Sequence, residues 1–308
     1  MDKERPHIPV LLDEVLHCFE KMPEDGVFID CTLGYAGHTE AVLEKFPHIK
    51  AIGIDRDMEA IEYSTKLLER FKDRFEAVHG RFSDVLPKLL QSCKVCGVLA
   101  DFGVSSLQFD KKERGFSFLS ENLDMRMDQS AELSAYHIVN RYPQSELERI
   151  FREYAEERAF KRAARAIVEA RSKKPIESGK ELADILAKVL QKRGKTHPAT
   201  AIFQAIRIEV NDELGEINRV LDALQKSPPK GAVVGMITFH SLEDRVVKRR
   251  FKEWSRSCIC PPGVFRCECG NDHALGEMTG RKPLVASVGE IERNPRSRSA
   301  KLRCFRFF

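Results

Sequence analysis

No stretch of the 308-residue sequence approaches the ~18 uncharged apolar residues a helix needs to cross a bilayer. Its opening, MDKERPHIPVLLDEVL, has no apolar core flanked by a cleavage site. Together these absences argue against a membrane span and an export leader, and they predict a cytoplasmic protein. Internal repeats and long low-complexity tracts are also missing, which sets aside solenoids and disordered linkers. The charge is nearly balanced at a formal +4, so overall charge does not demand a nucleic-acid partner. Nine cysteines are too few for a dense disulfide scaffold in a chain this long. Five of them, Cys18, Cys31, Cys93, Cys96 and Cys304, lie among apolar or strand-like residues and read as small buried hydrophobes.

Apolar residues make up 42% of the chain, enough for a sizeable core. They recur in short runs: VFID at 27–30, AIGID at 51–55, FEAVHG at 75–80, GVLAD at 97–101 and, much later, AVVGMITF at 232–239. Helix-like stretches separate the first four. That alternation predicts an α/β fold, a parallel sheet with helices on both faces. Three runs end in aspartate, at Asp30, Asp55 and Asp101. Ligands of open parallel sheets bind outside the carboxyl ends of the strands, so all three carboxylates are expected on the functional edge.

Between about Gln108 and Asn211 the strand pattern stops. SELERIFREYAEERAFKRAARAIVEARSKK and GKELADILAKVLQKR have helical spacing, and Phe151, Tyr154, Ala155, Arg158 and Arg162 fall on one stripe of a long helix. This predicts an all-helical insertion at 111–210 within a discontinuous sheet domain, 1–110 and 211–308. Basic residues cluster in KRRFKEWSR, from Lys248 to Arg256. They cluster again from Arg293 to the end, where six basic residues meet no acidic one. Such clusters suit phosphate contacts as well as an ordinary solvated face.

The first strand runs into DCTLGYAGHT, a turn bounded by Gly34 and Gly37 that lacks the full dinucleotide spacing G-x-G-x-x-G. Asp30 would repel a pyrophosphate. S-adenosylmethionine carries an ammonium and a sulfonium and no phosphate, so a nearby carboxylate favours it over a nicotinamide cofactor. Asp55 suits the ribose hydroxyls of either. In LADFGVSSLQFD, Asp101 and the carbonyls after it could accept the N–H groups of an exocyclic amine and aim its lone pair at the donor; a turn or capping aspartate is the ordinary reading. Ser105 and Ser106 are weaker candidates, being serines in a turn. Phe82 reads as adenine platform or core, and Gln108 as orienting group or loop residue.

Several motifs together resemble one family, the bacterial small-subunit ribosomal RNA cytosine-N4 methyltransferases. HIPVLLDEVL, DCTLGYAGHT, GIDRD, DFGVSSLQFD, RGFSF, LDMRMD, FQAIRIEVNDEL, FHSLEDRVVKR and NPRSRSAKLR run in that family's order over nearly the whole chain. The resemblance implies a Rossmann-like S-adenosylmethionine-dependent methyltransferase sheet interrupted by a helical substrate domain. The implied reaction is N4-methylation of a cytidine in the decoding region of 16S rRNA, within the small ribosomal subunit. It also implies that Ala36, Gly37 and His38 line the methionine part of the donor, that Asp55 holds its ribose, and that Phe82, Asp101 and Gln108 complete the pocket. The catalytic candidates are Asp101, Ser105 and His240, the last placed near the target base by FHSLEDR. For that motif a helix cap by Ser241 with an ion pair between Glu243 or Asp244 and Arg245 is the competing reading. LDMRMD offers Asp124, Arg126 and Asp128 as braces of the insert or as RNA contacts.

The sequence departs from the family at three places. Ala36 stands where the family has a second glycine, a change a turn tolerates at negative φ. Ala201 replaces a cation, and Thr238 replaces a serine. Amino-methylation of DNA, at N4 or N6, and a non-catalytic ribosome-assembly factor are the alternatives. The intact Asp55 and Asp101 argue against the second. A homo-oligomer is left open.

Finally, CICPPGVFRCECG places Cys258, Cys260, Cys267 and Cys269 as two C-x-C pairs. Four thiolates suit tetrahedral zinc, although the spacing is not the familiar C-x-x-C, and reduced free thiols or redox behaviour are the other readings. The resemblance implies no metal requirement for methyl transfer.

Overall fold

The computed structural model describes residues 8–103, 112–192, 197–261, 263 and 266–308. The chain divides into two compact units, Met1–Gly103 with Leu214–Phe308, and Val104–Glu213.

In the first unit, α1 (Leu12–Cys18) precedes β1 (Val27–Asp30), α2 (Gly37–Lys45), β2 (Lys50–Asp55), α3 (Met58–Leu67), β3 (Phe75–His79), α4 (Phe82–Ser92) and β4 (Val95–Asp101). The second unit supplies α5 (Ala135–Arg141), α6 (Gln144–Glu153), α7 (Phe160–Arg171), α8 (Gly179–Val189) and α9 (Thr200–Asn211). The sheet resumes after α10 (Glu213–Lys226) with β5 (Val233–Thr238) and α11 (Ser241–Trp254). It ends with β6 (Gly276–Met278), β7 (Leu284–Val285), α12 (Val288–Arg293) and β8 (Lys301–Phe307). The order across the eight-stranded sheet is β3-β2-β1-β4-β5-β8-β6, with β7 also pairing β8. The first five strands are mutually parallel, and β8 runs antiparallel to β5.

Parallel strands covered on both faces must be apolar throughout, which is why the core strands read as continuous runs. Alternate residues feed different cores. Ile29, Ile52, Ile54, Val98, Val234 and Met236 pack with Val220 and Leu224 of α10 and Val247 and Phe251 of α11. Phe28, Ala51, Leu99, Val233 and Ile237 pack with Val15 of α1 and Val42 and Leu43 of α2. The second unit closes a core of its own, in which Ile138, Leu147, Ile150, Ile167, Leu182 and Ile206 are all fully buried.

Three expectations are corrected. The stripe through Phe151, Tyr154, Ala155, Arg158 and Arg162 does not lie on one helix, because α6 ends at Glu153 and α7 begins at Phe160. Glu156 sits at φ +47° and the Glu157 amide donates to the Phe151 carbonyl, so the chain turns while Tyr154 and Ala155 pack on the unit's core. The basic stretch from Arg293 to the end is not throughout a solvated or phosphate-contacting surface. Its last part forms β8, with Leu302, Phe305 and Phe307 essentially inaccessible, and Arg303 is bound in a bidentate pair to Asp244 at 2.7 and 3.2 Å. Cys18 and Cys304 are not separate thiols. They are joined as a disulfide with Cα atoms 6.2 Å apart, because α1 packs over β5 and β8.

Candidate active site

The ends of β1, β2 and β4 bring Asp30, Asp55 and Asp101 to one edge, and each does a different job. Asp30 is 1% exposed, and both its oxygens are committed: Oδ2 accepts from the Thr39 hydroxyl at 2.7 Å and Oδ1 from the Thr32 amide at 3.0 Å. Burial pushes its pKa up and His38 opposes the rise. It is a brace for the turn into α2, and the Thr32 hydroxyl extends that brace by accepting the Asp101 amide at 2.7 Å.

The turn itself needs left-handed backbone. Gly34 has φ +49°, and Ala36, fully buried, has φ +56° and caps α2. The negative φ that would make alanine costless at 36 is therefore not what the turn adopts; an alanine there is strained by roughly 1 kcal/mol relative to glycine. Gly37 is required by the protein's own chain, since a Cβ there would overlap the Pro9 ring. His38, 8% exposed, has its Nε2 2.9 Å from the Val10 carbonyl, a bond that ring nitrogen donates. Burial lowers its pKa against the pull of Asp30. Gly37 and His38 thus anchor the amino-terminal segment on the turn.

Asp55 remains available. Its Oδ2 accepts the Gly34 amide and its Oδ1 the Asp57 amide, both at 2.9 Å, which leaves lone pairs on each oxygen. Burial raises its pKa, and the two amides counter it. A carboxylate with one free acceptor direction on each oxygen fits a vicinal diol.

Asp101 is the anomaly. Its Oδ1 is buried and has no hydrogen-bond partner among the described residues. Burial, then the charges of Asp30 and Glu243, push its pKa well above the ordinary carboxylate range. An unsatisfied buried acceptor at a strand end is costly, which marks it as a place where a donor arrives. Glu243, fully buried near the start of α11, accepts the Phe239 and His240 amides through Oε2 at 2.8 and 3.2 Å. Its Oε1 lies 3.0 Å from His240 Nε2, out of line for a hydrogen bond. The turn after β4 is drawn close: Gly103 has φ +143°, and a Cβ there would press on the Phe239 ring at 3.1 Å. Phe82 starts α4 half-buried, its ring 6.2 Å from that of Phe102.

His240, not Ser241, caps α11, and Asp244 pairs with Arg303 rather than Arg245. Asp124 binds Arg126 at 2.8 Å, and Arg126 also donates to the Gln129 and Ala131 carbonyls, while Asp128 holds Ser130. Arg207, near Ala201, forms a bidentate pair with Glu213 at 2.7 and 2.8 Å. Ser105 and Gln108 lie outside the described residues. Sequence reasoning missed Thr32 and Thr39, and it offered Glu243 only as an ion-pair partner of Arg245. All three sit inside quoted motifs, and for Thr32 a polar side chain just past a strand end was the available signal.

A parallel sheet ordered 3-2-1-4-5, continued by an antiparallel strand, with carboxylates at the ends of strands 1, 2 and 4, defines a Rossmann-like methyltransferase. More specifically, the chain belongs to the MraW methylase family, whose model matches residues 4–308. It is 59% identical over 304 residues to the ribosomal RNA small subunit methyltransferase H of a Sulfurovum species, covering 99% of this chain and 98% of that one. The proteins of the same name from a Nitratiruptor species and from Nautilia profundicola are 58% and 54% identical over 302 residues. Those alignments cover 98% of this chain in both cases, and 98% and 97% of the relatives. No helix among the described residues is long and apolar enough to cross a membrane.

Proposed function

We propose that this protein transfers a methyl group from S-adenosylmethionine to the exocyclic N4 of a cytidine in the 16S rRNA of the small ribosomal subunit. Family membership and full-length relatives named as small-subunit rRNA methyltransferases support the substrate class. The single observation that carries the chemistry is the buried Oδ1 of Asp101 at the end of β4, which has no hydrogen-bond partner among the described residues.

The donor supplies an electrophilic methyl on a sulfonium. Asp55 accepts the two ribose hydroxyls with the lone pairs its amide partners leave open. The turn at Ala36, Gly37 and His38 lines the methionine end, and Phe82 and Gln108 complete the pocket. Asp101 Oδ1 accepts an N–H of the target amine, which restores electron density to a nitrogen whose lone pair is delocalised into the ring, and takes up its proton. Ser105 and His240 border the base. A cation bound nearby opposes the burial of Asp101 and holds it ionised for that task. A stacked cytosine hides its amine, so the target base is unstacked. The insert carries the RNA-binding surface, and Arg158, Lys161, Arg162 and Arg165, all exposed, suit phosphate contacts.

The test is transfer of labelled methyl into small subunits from cells lacking the enzyme, followed by mass mapping of the modified nucleotide. N4-methylcytidine in 16S rRNA is expected. Methylation of DNA alone, or RNA binding without transfer, would overturn the proposal.

A further inference from the structure

We infer that Cys258, Cys260, Cys267 and Cys269 form a structural zinc site that ties down the segment between α11 and β6. This reading is independent of the methyl-transfer site, and nothing in that chemistry calls for it.

The sulfurs are already gathered. All four Sγ atoms lie within 4.8 Å of one another. Cys258 and Cys267 are 3.6 Å apart, Cys267 and Cys269 3.6 Å, and Cys258 and Cys269 3.7 Å. Zinc–thiolate bonds of about 2.3 Å in a tetrahedron place neighbouring sulfurs at about 3.8 Å, so three edges of the cluster have the separation a zinc ion requires. These distances are far longer than the ~2.05 Å of a disulfide bond. Two backbone amides also point at sulfur: Ile259 donates to Cys269 and Glu268 to Cys260, both at 3.4 Å. Amides from within the loop that donate to sulfur favour the thiolate over the thiol.

The segment needs such a clamp. None of its described residues from 255 to 275 is buried, and Ile259 is 63% exposed. Its stem is pinned by the Leu275 amide on the Trp254 carbonyl at 2.8 Å and the His273 amide on the Ser257 carbonyl at 3.0 Å. Beyond the stem no described residue is buried to offset the entropy of ordering the chain, an offset that metal coordination supplies. Four protein thiolates fill a tetrahedron and leave no open position for water or substrate, so the ion is structural. On binding, each cysteine still protonated releases its proton to solvent.

The experiment is metal analysis of the full-length protein, purified under reducing conditions without chelator and then exposed to zinc and desalted. We expect about one zinc per chain, falling to less than about a tenth in C260S/C269S. Cobalt(II) in place of zinc should give thiolate-to-metal charge-transfer bands and the intense d–d bands of a tetrahedral site. Trypsin should cut at Arg256 or Arg266 in the stripped protein and spare both in the loaded one. Failure of the reduced wild-type protein to retain zinc overturns the inference. So does zinc retained undiminished in C260S/C269S. Should that variant not fold, the cobalt spectrum of the wild-type chain decides, and absence of thiolate bands rejects the site.

Discussion

The catalytic proposal is sharpest at Asp101, where function and stability pull in opposite directions. Burial and two neighbouring carboxylates raise its pKa, so the folded protein holds this proton more tightly than the unfolded chain does. Stability from this group is therefore fully present below the unfolded carboxylate pKa and is lost as pH rises through the raised folded value. Asp101→Asn removes the need to bury a charge without changing shape. At neutral pH we expect the variant to melt a few degrees higher than wild type, while methyl transfer falls by about 10²–10⁴-fold. The wild-type kcat/KM should rise with pH along a limb set by the free enzyme's Asp101, above the ordinary carboxylate range, and Asp101→Asn should lose that limb. Thermal melts and pH–rate profiles of the two proteins check this; an unchanged rate would remove Asp101 from the mechanism. That the three strand-end aspartates share an edge was legible from their positions alone. Their division of labour was not, because it depends on Thr32, Thr39 and the Gly34 and Asp57 amides, which only the folded turn brings within reach.

At the scale of elements, what the sequence revealed tracks how each element is buried. β1, β2, β4 and β5 are buried along most of their length and read as largely apolar runs, so they are visible without the structure, whereas the edge strand β3 has no buried residue and is marked mainly by its place in the alternation. β8 was hidden because its apolar residues are interleaved with Lys301, Arg303 and Arg306, and the charges suggested a surface tail. Arg303 is 7% exposed and bound to Asp244, itself 14% exposed, with Lys301 adding a contact at 3.7 Å. The gap between α6 and α7 was hidden for a different reason. Residues 154–159 contain no glycine or proline, and the turn depends on a glutamate in the left-handed region. Arg303→Met leaves Asp244 largely buried with one weak partner, at a cost of about 3 kcal/mol, whereas Arg303→Met with Asp244→Leu removes both charges and recovers most of that loss. Denaturant midpoints of the two variants test it. A double variant no more stable than the single one would mean that Arg303 contributes by packing instead.

For the whole molecule, the informative fact is that the second unit has a closed core. Twenty-four residues from Phe116 to Val210 are buried together in one cluster drawn entirely from within Val104–Glu213. Polar contacts within the unit reinforce that core. Asn211 accepts the Met127 amide at 2.9 Å and donates to the Met125 carbonyl at 2.8 Å. Arg149 reaches Glu209 at 2.9 Å, and Arg171 donates to the Val139 and Tyr142 carbonyls at 2.7 and 2.6 Å. The Asn211 contacts tie the loop after Gly115 to the last helix of the insert. A unit of this size with its own core and hydrogen-bond network is expected to carry roughly 5 kcal/mol of stability or more. Expressed alone, residues 104–213 should give a helical circular dichroism spectrum and a cooperative thermal transition, and should bind small-subunit rRNA fragments with an affinity that falls steeply with added salt. A broad, non-cooperative melt would show that the core depends on the rest of the chain. A cooperative fold with no salt-dependent RNA binding would leave the core argument intact and remove the insert as the RNA-binding element.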